Sequence, residues 1–345
     1  MSTVRIDGSY GEGGGQVLRT SLAMAALTGR AVEIGNIRAG RPKPGLAAQH
    51  LTGCRAVAAI TSGTLIGAEM GSVQLRFEPG PVQAGQFEFA VGTAGATTLV
   101  LQALLPALAF GPGETTLVLH GGTHVSWSPP FEYLRDVFLP ALAEMGLQVE
   151  VELVRPGWYP EGGGTIHVRV APVRELRPII WPERGERRLI ECVSGTSGLP
   201  DHVAERQLRS AVEALGRAGL QPRTRVWRAP ARGKGSFCFV RAVFAPGLGG
   251  HSALGARGKP AEQVGAEAAE AFLAFLGSPA AVDYHLADQL LPYLALSRGE
   301  SNLAVETVTS HLLTNAWVVQ QFAERPVRVV GCQGQAGQVL VASSV

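Results

Sequence analysis

No run of about 18 consecutive apolar residues occurs in these 345 residues, so the sequence predicts no membrane-spanning helix. Charged residues make up only 17% of the chain and aromatic residues 6%, and the formal charge is +2. A protein that binds nucleic acid along a long surface needs an extended basic, aromatic-studded face, and this composition argues against one; a nucleic-acid partner would have to be gripped locally, for instance at one end. The four cysteines, Cys54, Cys192, Cys238 and Cys332, are widely spaced and form no CxxC pair, which points to reduced, buried or inert thiols in a cytoplasmic protein. From Met1 the chain passes straight into a polar, glycine-rich stretch, so no signal peptide is expected. Two nucleotide-binding signatures are also missing. The glycine-rich segment 7–16 has neither the Lys-Ser/Thr pair of a Walker A loop nor GxGxxG spacing.

Hydrophobic residues at 46% indicate a folded globular chain, and its length suffices for two or three cores. Residues 4–6 read as a strand, 16–27 as an apolar helix ended by Gly29, 31–37 as a strand and 45–60 as a second helix. Residues 73–77 and 87–91 alternate like a pair of strands, completing a βαβαββ unit of roughly 90 residues. A second unit follows the same grammar: helix 94–110, strand 115–120, helix 130–145, strands 147–154 and 165–170. The segment 158–164, Trp-Tyr-Pro-Glu-Gly-Gly-Gly, echoes 9–15, Ser-Tyr-Gly-Glu-Gly-Gly-Gly, and reads as a trace of duplication. Between 183 and 277 arginine and Pro/Gly breaks become more frequent. Helices there are marked by Val203, Leu208, Val212 and Leu215 and by 261–276, with strands at 224–226 and 237–243. We expect an α+β protein of repeated βαβαββ units, with residues 1–182 and 278–345 as the main body and 183–277 as a smaller inserted α/β domain.

Thr309-Ser310-His311-Leu312-Leu313-Thr314-Asn315 places a lone imidazole where a helix begins, with Ser310 expected to cap it. His311, Thr314, Asn315 and Val318 share one face on a 3.6-residue period. The positive end of the helix dipole disfavours imidazolium, so a neutral, nucleophilic ring is expected near pH 7. Taken alone, the pattern fits a capping or packing histidine as well.

Segment 7–16 links a strand to a helix and exposes backbone N–H groups suited to phosphate. Glu12 is the one carboxylate inside its glycine run and could hold a divalent cation against phosphate oxygens; read by itself the loop is also an ordinary flexible turn. Arg38, Arg41 and Lys43 place three cations within six positions, among two prolines and two glycines, as a phosphate clamp or a solvated basic turn. His285, Asp288 and Gln289 share one helix face, and Gln102 lies within an apolar helix where its amide needs a partner.

Together, segment 7–19, Arg38-Ala-Gly-Arg-Pro-Lys-Pro-Gly45, Gln49-His50, Gly121-Gly-Thr123, Leu286-Ala-Asp-Gln289 and Ser310-His-Leu-Leu-Thr-Asn315 resemble the RNA 3′-terminal phosphate cyclases, in order and nearly end to end. The resemblance implies repeated units like those of the translation initiation factor 3 C-terminal domain, and an ATP-dependent enzyme acting on RNA 3′-phosphate ends. It implies that His311 attacks the α-phosphorus of ATP to form a covalent histidine–AMP. Glu12 would hold the metal, Mg²⁺ or Mn²⁺. Gln102, Pro129, Tyr133, His285, Asp288 and Gln289 would contact ATP, and Arg19, Arg38, Arg41, Lys43 and His50 are candidates for the RNA phosphate. The family usually carries Tyr where His285 stands, and Asp or Asn where His124 stands. Three alternatives remain at this level: a non-catalytic relative that lacks the nucleophile, an enolpyruvyl transferase, and a plain RNA-binding module. Oligomeric state is not legible.

Overall fold

The computed structural model describes residues 3–343, so residues 1–2 and 344–345 of the expected main body lie outside the described residues. The chain opens with β1 (Val4–Asp7), α1 (Gly15–Thr28), β2 (Val32–Gly35), α2 (Ala48–Ile60), β3 (Thr64–Ile66) and β4 (Leu75–Glu78). These strands form a sheet in the order β1-β2-β4-β3, with β1 parallel to β2 and the other pairs antiparallel. Alternation sets which face is inward: Val4 and Ile6 of β1 are buried while Arg5 and Asp7 are exposed. Gly29, in the left-handed region at φ 67°, ends α1 where a side chain would be strained.

Next come β5 (Gly85–Ala90), α3 (Thr97–Leu108), β6 (Thr115–Gly121), α4 (Phe131–Tyr133), a wider turn at Leu134–Phe138, α5 (Leu139–Glu144), β7 (Gln148–Arg155) and β8 (Gly164–Ala171). The second sheet runs β5-β6-β8-β7, the same connectivity and the same mix of parallel and antiparallel pairs. Two expectations are corrected here. Residues 85–90 do not pair with 75–78 but open the second sheet beside β6, and the partner of β4 is the three-residue β3, too short to leave a pattern. The echo of the first glycine loop is not its structural counterpart: segment 158–164 lies in the β7–β8 hairpin, whereas the β5–α3 link is 91–96.

The strand β9 (Ile180–Trp181) precedes β10 (Glu186–Ser197), α6 (Asp201–Arg217), β11 (Arg223–Arg228), β12 (Gly235–Ala245), β13 (Leu248–Leu254) and α7 (Ala261–Gly277). This sheet is ordered β11-β10-β12-β13, and α6 and α7 pack on it over a separate apolar cluster that includes Cys192, Ala211, Val240, Val264 and Phe272. The chain then forms α8 (Tyr284–Leu296), β14 (Ser301–Val305), α9 (Ser310–Gln320), β15 (Val327–Val330) and β16 (Gly337–Val341). With β9 they make a sheet β9-β14-β16-β15, again parallel first and antiparallel thereafter. The connectivity of the first sheet thus occurs three times, the third time with 183–277 between its first strand and first helix. Val282 bridges Leu248 on one side and Val305 on the other, tying β13 to β14 edge to edge.

One large apolar cluster runs beneath all three related sheets, with α1 packed against α2, α3 and α9 at its centre. Among the described residues no helix is long and apolar enough to cross a membrane. Cys54, Cys192 and Cys238 are buried and free; Cys332 is free and exposed.

Candidate active site

Strand β1 delivers the glycine loop to the start of α1, and the loop lies on α9. Gly11 and Gly13 adopt φ of 62° and 55°, and a Cβ on Gly11 would overlap the Thr314 hydroxyl. The Glu12 N–H donates to Thr314 Oγ1 at 3.4 Å, which points the Glu12 side chain at the first turn of the same helix. There Glu12 Oε2 meets His311 Nε2 at 2.6 Å, while Glu12 Oε1 accepts from Arg41 Nη2 at 3.3 Å. The Glu12 side chain is 12% exposed and the His311 ring 46%, so the ring is anchored on one side and open to solvent on the other. The cap of α9 is Thr309, not Ser310: its hydroxyl accepts the Leu312 N–H at 3.0 Å, and Ser310 is already helical. Thr314, Asn315 and Val318, on the His311 face, are buried.

Charge coupling in this cluster reverses one expectation. The hydrogen bond that the ring donates to Glu12 raises the His311 pKa above its ordinary value, and the negative charges of Asp288 and Glu12 add to that against burial and Arg19. The resting ring therefore favours the imidazolium more than a free histidine does, because a carboxylate in direct contact outweighs the helix dipole. Burial would raise the Glu12 carboxyl, but the His311 bond and the charges of His311, Arg41 and Arg19 hold it below the usual range. Asp288 is 8% exposed, and burial pushes its carboxyl up to about 7 despite His311 and Arg19. Burial likewise pulls Arg19 down to about 10, still cationic at neutral pH, against Asp288 and Glu12.

Among the described residues no group of three or more His, Cys, Asp or Glu could hold a metal ion. Glu12 therefore fits a hard divalent cation only as a single protein carboxylate, with phosphate and water oxygens completing the shell, a donor set that suits Mg²⁺.

A family model described as RTC: RNA 3′-terminal phosphate cyclase matches residues 10–329. The chain belongs to this family. Proteins named RNA 3′-terminal phosphate cyclase from Methylococcus capsulatus, Pyrobaculum aerophilum and Hyperthermus butylicus are 48%, 46% and 49% identical to it, covering 96%, 92% and 91% of this chain and 95%, 92% and 90% of their own lengths. A crystal structure of the enolpyruvyl transferase NikO from Streptomyces tendae covers 100% of this chain and 66% of that one at 13% identity and a TM-score of 0.28, too low to carry an argument.

Measured against the residues expected for a cyclase of this family, the structure gathers some and disperses others. Glu12, Arg19, Arg41 and His311 converge, with Asp288 and His50 within electrostatic reach. Gln102 and Gln289 line one cavity of about 20 Å³ with Arg19 and Asn315; Gln102 Nε2, Gln289 Oε1 and Asn315 Oδ1 are buried there without a partner. His50 sits against Gly15, and burial with the charges of Arg19, Arg38 and Arg41 drives its pKa down to about 3, so at neutral pH it is no cation. Arg38 donates to the Gly45 carbonyl at 2.7 Å and braces its own loop, whereas Lys43 is exposed. The Pro129 carbonyl accepts from Thr98 Oγ1 at 2.9 Å. Tyr133 is not an open wall: it is 2% exposed, donates to Asp283 Oδ1 at 2.8 Å, and presents its ring edge-on to the exposed His285. His124 is buried between Thr123 Oγ1 and Glu132 Oε2, each at 2.7 Å, and stacks on Trp158.

Asp283 was expected only as the first residue of a helix ending at Leu296, and its role as cap and brace escaped the sequence reading. Fully buried, it caps α8 by accepting the His285 and Leu286 N–H groups at 2.9 Å, and it accepts the Gly250 N–H of β13 at 3.0 Å. One side chain thus fixes the helix that carries His285, Asp288 and Gln289 against Tyr133 and against the neighbouring sheet. An Asp immediately before a helical pattern is the signal that could have found it.

Proposed function

We propose that this chain converts an RNA 3′-terminal phosphate to a 2′,3′-cyclic phosphodiester, using ATP and a covalent His311–AMP intermediate. Family membership supports the reaction. The observation that carries the mechanism is the half-open His311 ring held at 2.6 Å by Glu12 over the glycine loop.

A phosphate monoester is a poor electrophile until one of its oxygens becomes a leaving group, and adenylylation supplies that group. His311 Nε2 forms a bond to the α-phosphorus of ATP as the bond to the β-phosphate oxygen breaks, and the electron pair leaves on pyrophosphate. For this the ring must first release the proton that Glu12 helps it keep. That proton passes to solvent on the open side of the ring, and Arg19 and Arg41, beside Glu12, then compensate the carboxylate's negative charge in place of the imidazolium. The 3′-phosphate oxygen then displaces the His311 nitrogen from the adenylate phosphorus. Finally the 2′-hydroxyl attacks the RNA phosphorus, losing its proton, and AMP leaves. Glu12 is the carboxylate that would hold Mg²⁺ or Mn²⁺ with phosphate oxygens, and a bound ion would supply charge neutralisation for the triphosphate and the leaving pyrophosphate.

In this reading Gln102, His285, Asp288 and Gln289 bind ATP, with Pro129 lining the adenine side and Tyr133 supporting from beneath. Arg19 and Arg41 receive the RNA phosphate, with Arg38, Lys43 and neutral His50 shaping or approaching that end. Residues 1–182 and 278–345 form the catalytic body of repeats like those of the initiation factor 3 C-terminal domain, residues 183–277 an inserted domain, and the protein works in the cytoplasm.

Incubation with α-labelled ATP and a divalent metal, followed by denaturing electrophoresis and acid, tests the proposal. An acid-labile adduct is expected in the wild type and absent from a folded His311→Ala variant. A His311→Ala variant that still labels would remove His311 from the nucleophile role.

A further inference from the structure

A groove of about 640 Å³ lies between the second repeat and the segment 183–277, lined by Glu132, Arg135, the end of β7, β11 and the loop that follows it. It shares no residue with the His311 site. Glu132 faces it, while the next residue, Tyr133, reaches the α8 cap, so the start of α4 stands between groove and site.

Five arginines border this groove in a chain whose formal charge is only +2. Two are spoken for: Arg135 pairs with Asp136 at 2.6 Å, and Arg228 with Asp201 and Glu205 at 3.0 and 2.8 Å. Arg155 donates through Nε to the Gly163 carbonyl at 2.7 Å and keeps its terminal nitrogens. Arg225 and Arg232 are exposed and pair with no carboxylate among the described residues. The sole acid in the lining, Glu132, is 1% exposed, with one oxygen engaged by Trp227 Nε1–H at 3.0 Å and the other by His124 at 2.7 Å. That bond also fixes the half-buried Trp227 ring as one wall.

The uncommitted cations come from three separate segments: Arg155 and Arg232 both lie against Gly163, and Arg225 stands on β11, two positions before Trp227 on the same strand face. A compact anion takes only the donors that meet at one point, such as the Arg155 and Arg232 pair, whereas a chain of phosphates follows guanidinium groups from one segment to the next. We infer that this groove binds the phosphodiester backbone of single-stranded RNA on the 5′ side of the reacting end. The inference rests on the proposed function for its choice of polyanion. It assigns to the 183–277 segment, through β11, the task of holding the strand whose 3′-phosphate lies in the His311 site.

The test compares wild type with Arg225→Ala/Arg232→Ala, and with the double glutamate variant, for binding to a length series of oligoribonucleotides ending in 3′-hydroxyl or 3′-phosphate. Wild-type affinity should rise with length in both series, because internal phosphates carry the effect. The double alanine variant should lose that rise, bind the shortest 3′-phosphate oligonucleotide as before and label with ATP at the wild-type rate. Its slope of log affinity against log salt should become shallower by about 1.4, roughly 0.7 for each lost phosphate contact. Unchanged length dependence would overturn the inference and turn attention to an acidic protein surface as the occupant. Equal weakening for short and long RNAs would also overturn it, since the arginines would then act at the end site. Length-dependent binding of 3′-hydroxyl RNA by a wild type that neither labels nor cyclises would keep the groove and reject the proposed reaction.

Discussion

Replacing Asp288 by Asn tests the electrostatics of the site without any ligand. The carboxyl is 8% exposed, and its pKa moves from 3.8 to about 7 on folding. The folded state therefore holds the Asp288 proton more tightly than the unfolded chain. Stability from this group is complete below about pH 4 and declines as pH rises, by up to ~1.4 kcal/mol per pH unit until the folded pKa is passed. The shift of roughly three units amounts to about 4 kcal/mol by pH 8. Among the described residues no side chain or backbone N–H donates to this carboxyl, and the Asp288 carbonyl that accepts Asn315 Nδ2 at 2.5 Å is untouched by the change. Urea unfolding of Asp288→Asn and wild type, at half-unit steps from pH 4 to 8, should give nearly equal stabilities at pH 4 and a variant more stable by up to ~4 kcal/mol at pH 8. His311, whose raised folded pKa adds stability that is also lost with rising pH, owes part of that raise to Asp288, so its titration is followed in both proteins and the difference subtracted. Parallel stability curves for the two proteins would refute the claim that burial of Asp288 outweighs the nearby charges of His311 and Arg19.

Glu12→Gln removes the main cause of the raised His311 pKa, so the ring should titrate closer to an ordinary histidine in a nuclear magnetic resonance titration; an unmoved titration would separate the two groups. Gly11→Ala forces a side chain into the left-handed region, at about 1–2 kcal/mol, and against Thr314, so urea unfolding should show a total loss of about 2 kcal/mol or more. A Gly11→Ala protein as stable as wild type would mean that the loop is not seated on α9. Thr309→Ala should cost about 1 kcal/mol of stability while Ser310→Ala is near neutral, and the opposite ranking would move the cap by one residue.

Most helices were legible because their signals are local. Glycine ended α1, apolar spacing marked α6 and α7, and helices do carry His285 and His311 as their local patterns indicated. Strands were less legible. Residues 64–66, 180–181, 186–197, 248–254 and 301–305 went unseen, being short or dependent on neighbours distant in sequence for their hydrogen bonds.

The sequence by itself determined that this is a folded α+β chain, that it belongs with the cyclases, and that His311, Glu12 and the Arg38–Arg41 loop are its chemically distinctive residues, since residue type and spacing are written along one dimension. Only the tertiary structure decided that Glu12 and His311, near opposite ends of the chain, share a hydrogen bond, that His50 is neutral, that Tyr133 is buried against Asp283, and that the arginine groove exists. Protonation state depends on desolvation and on distances between charges, and those are fixed when the repeats pack together.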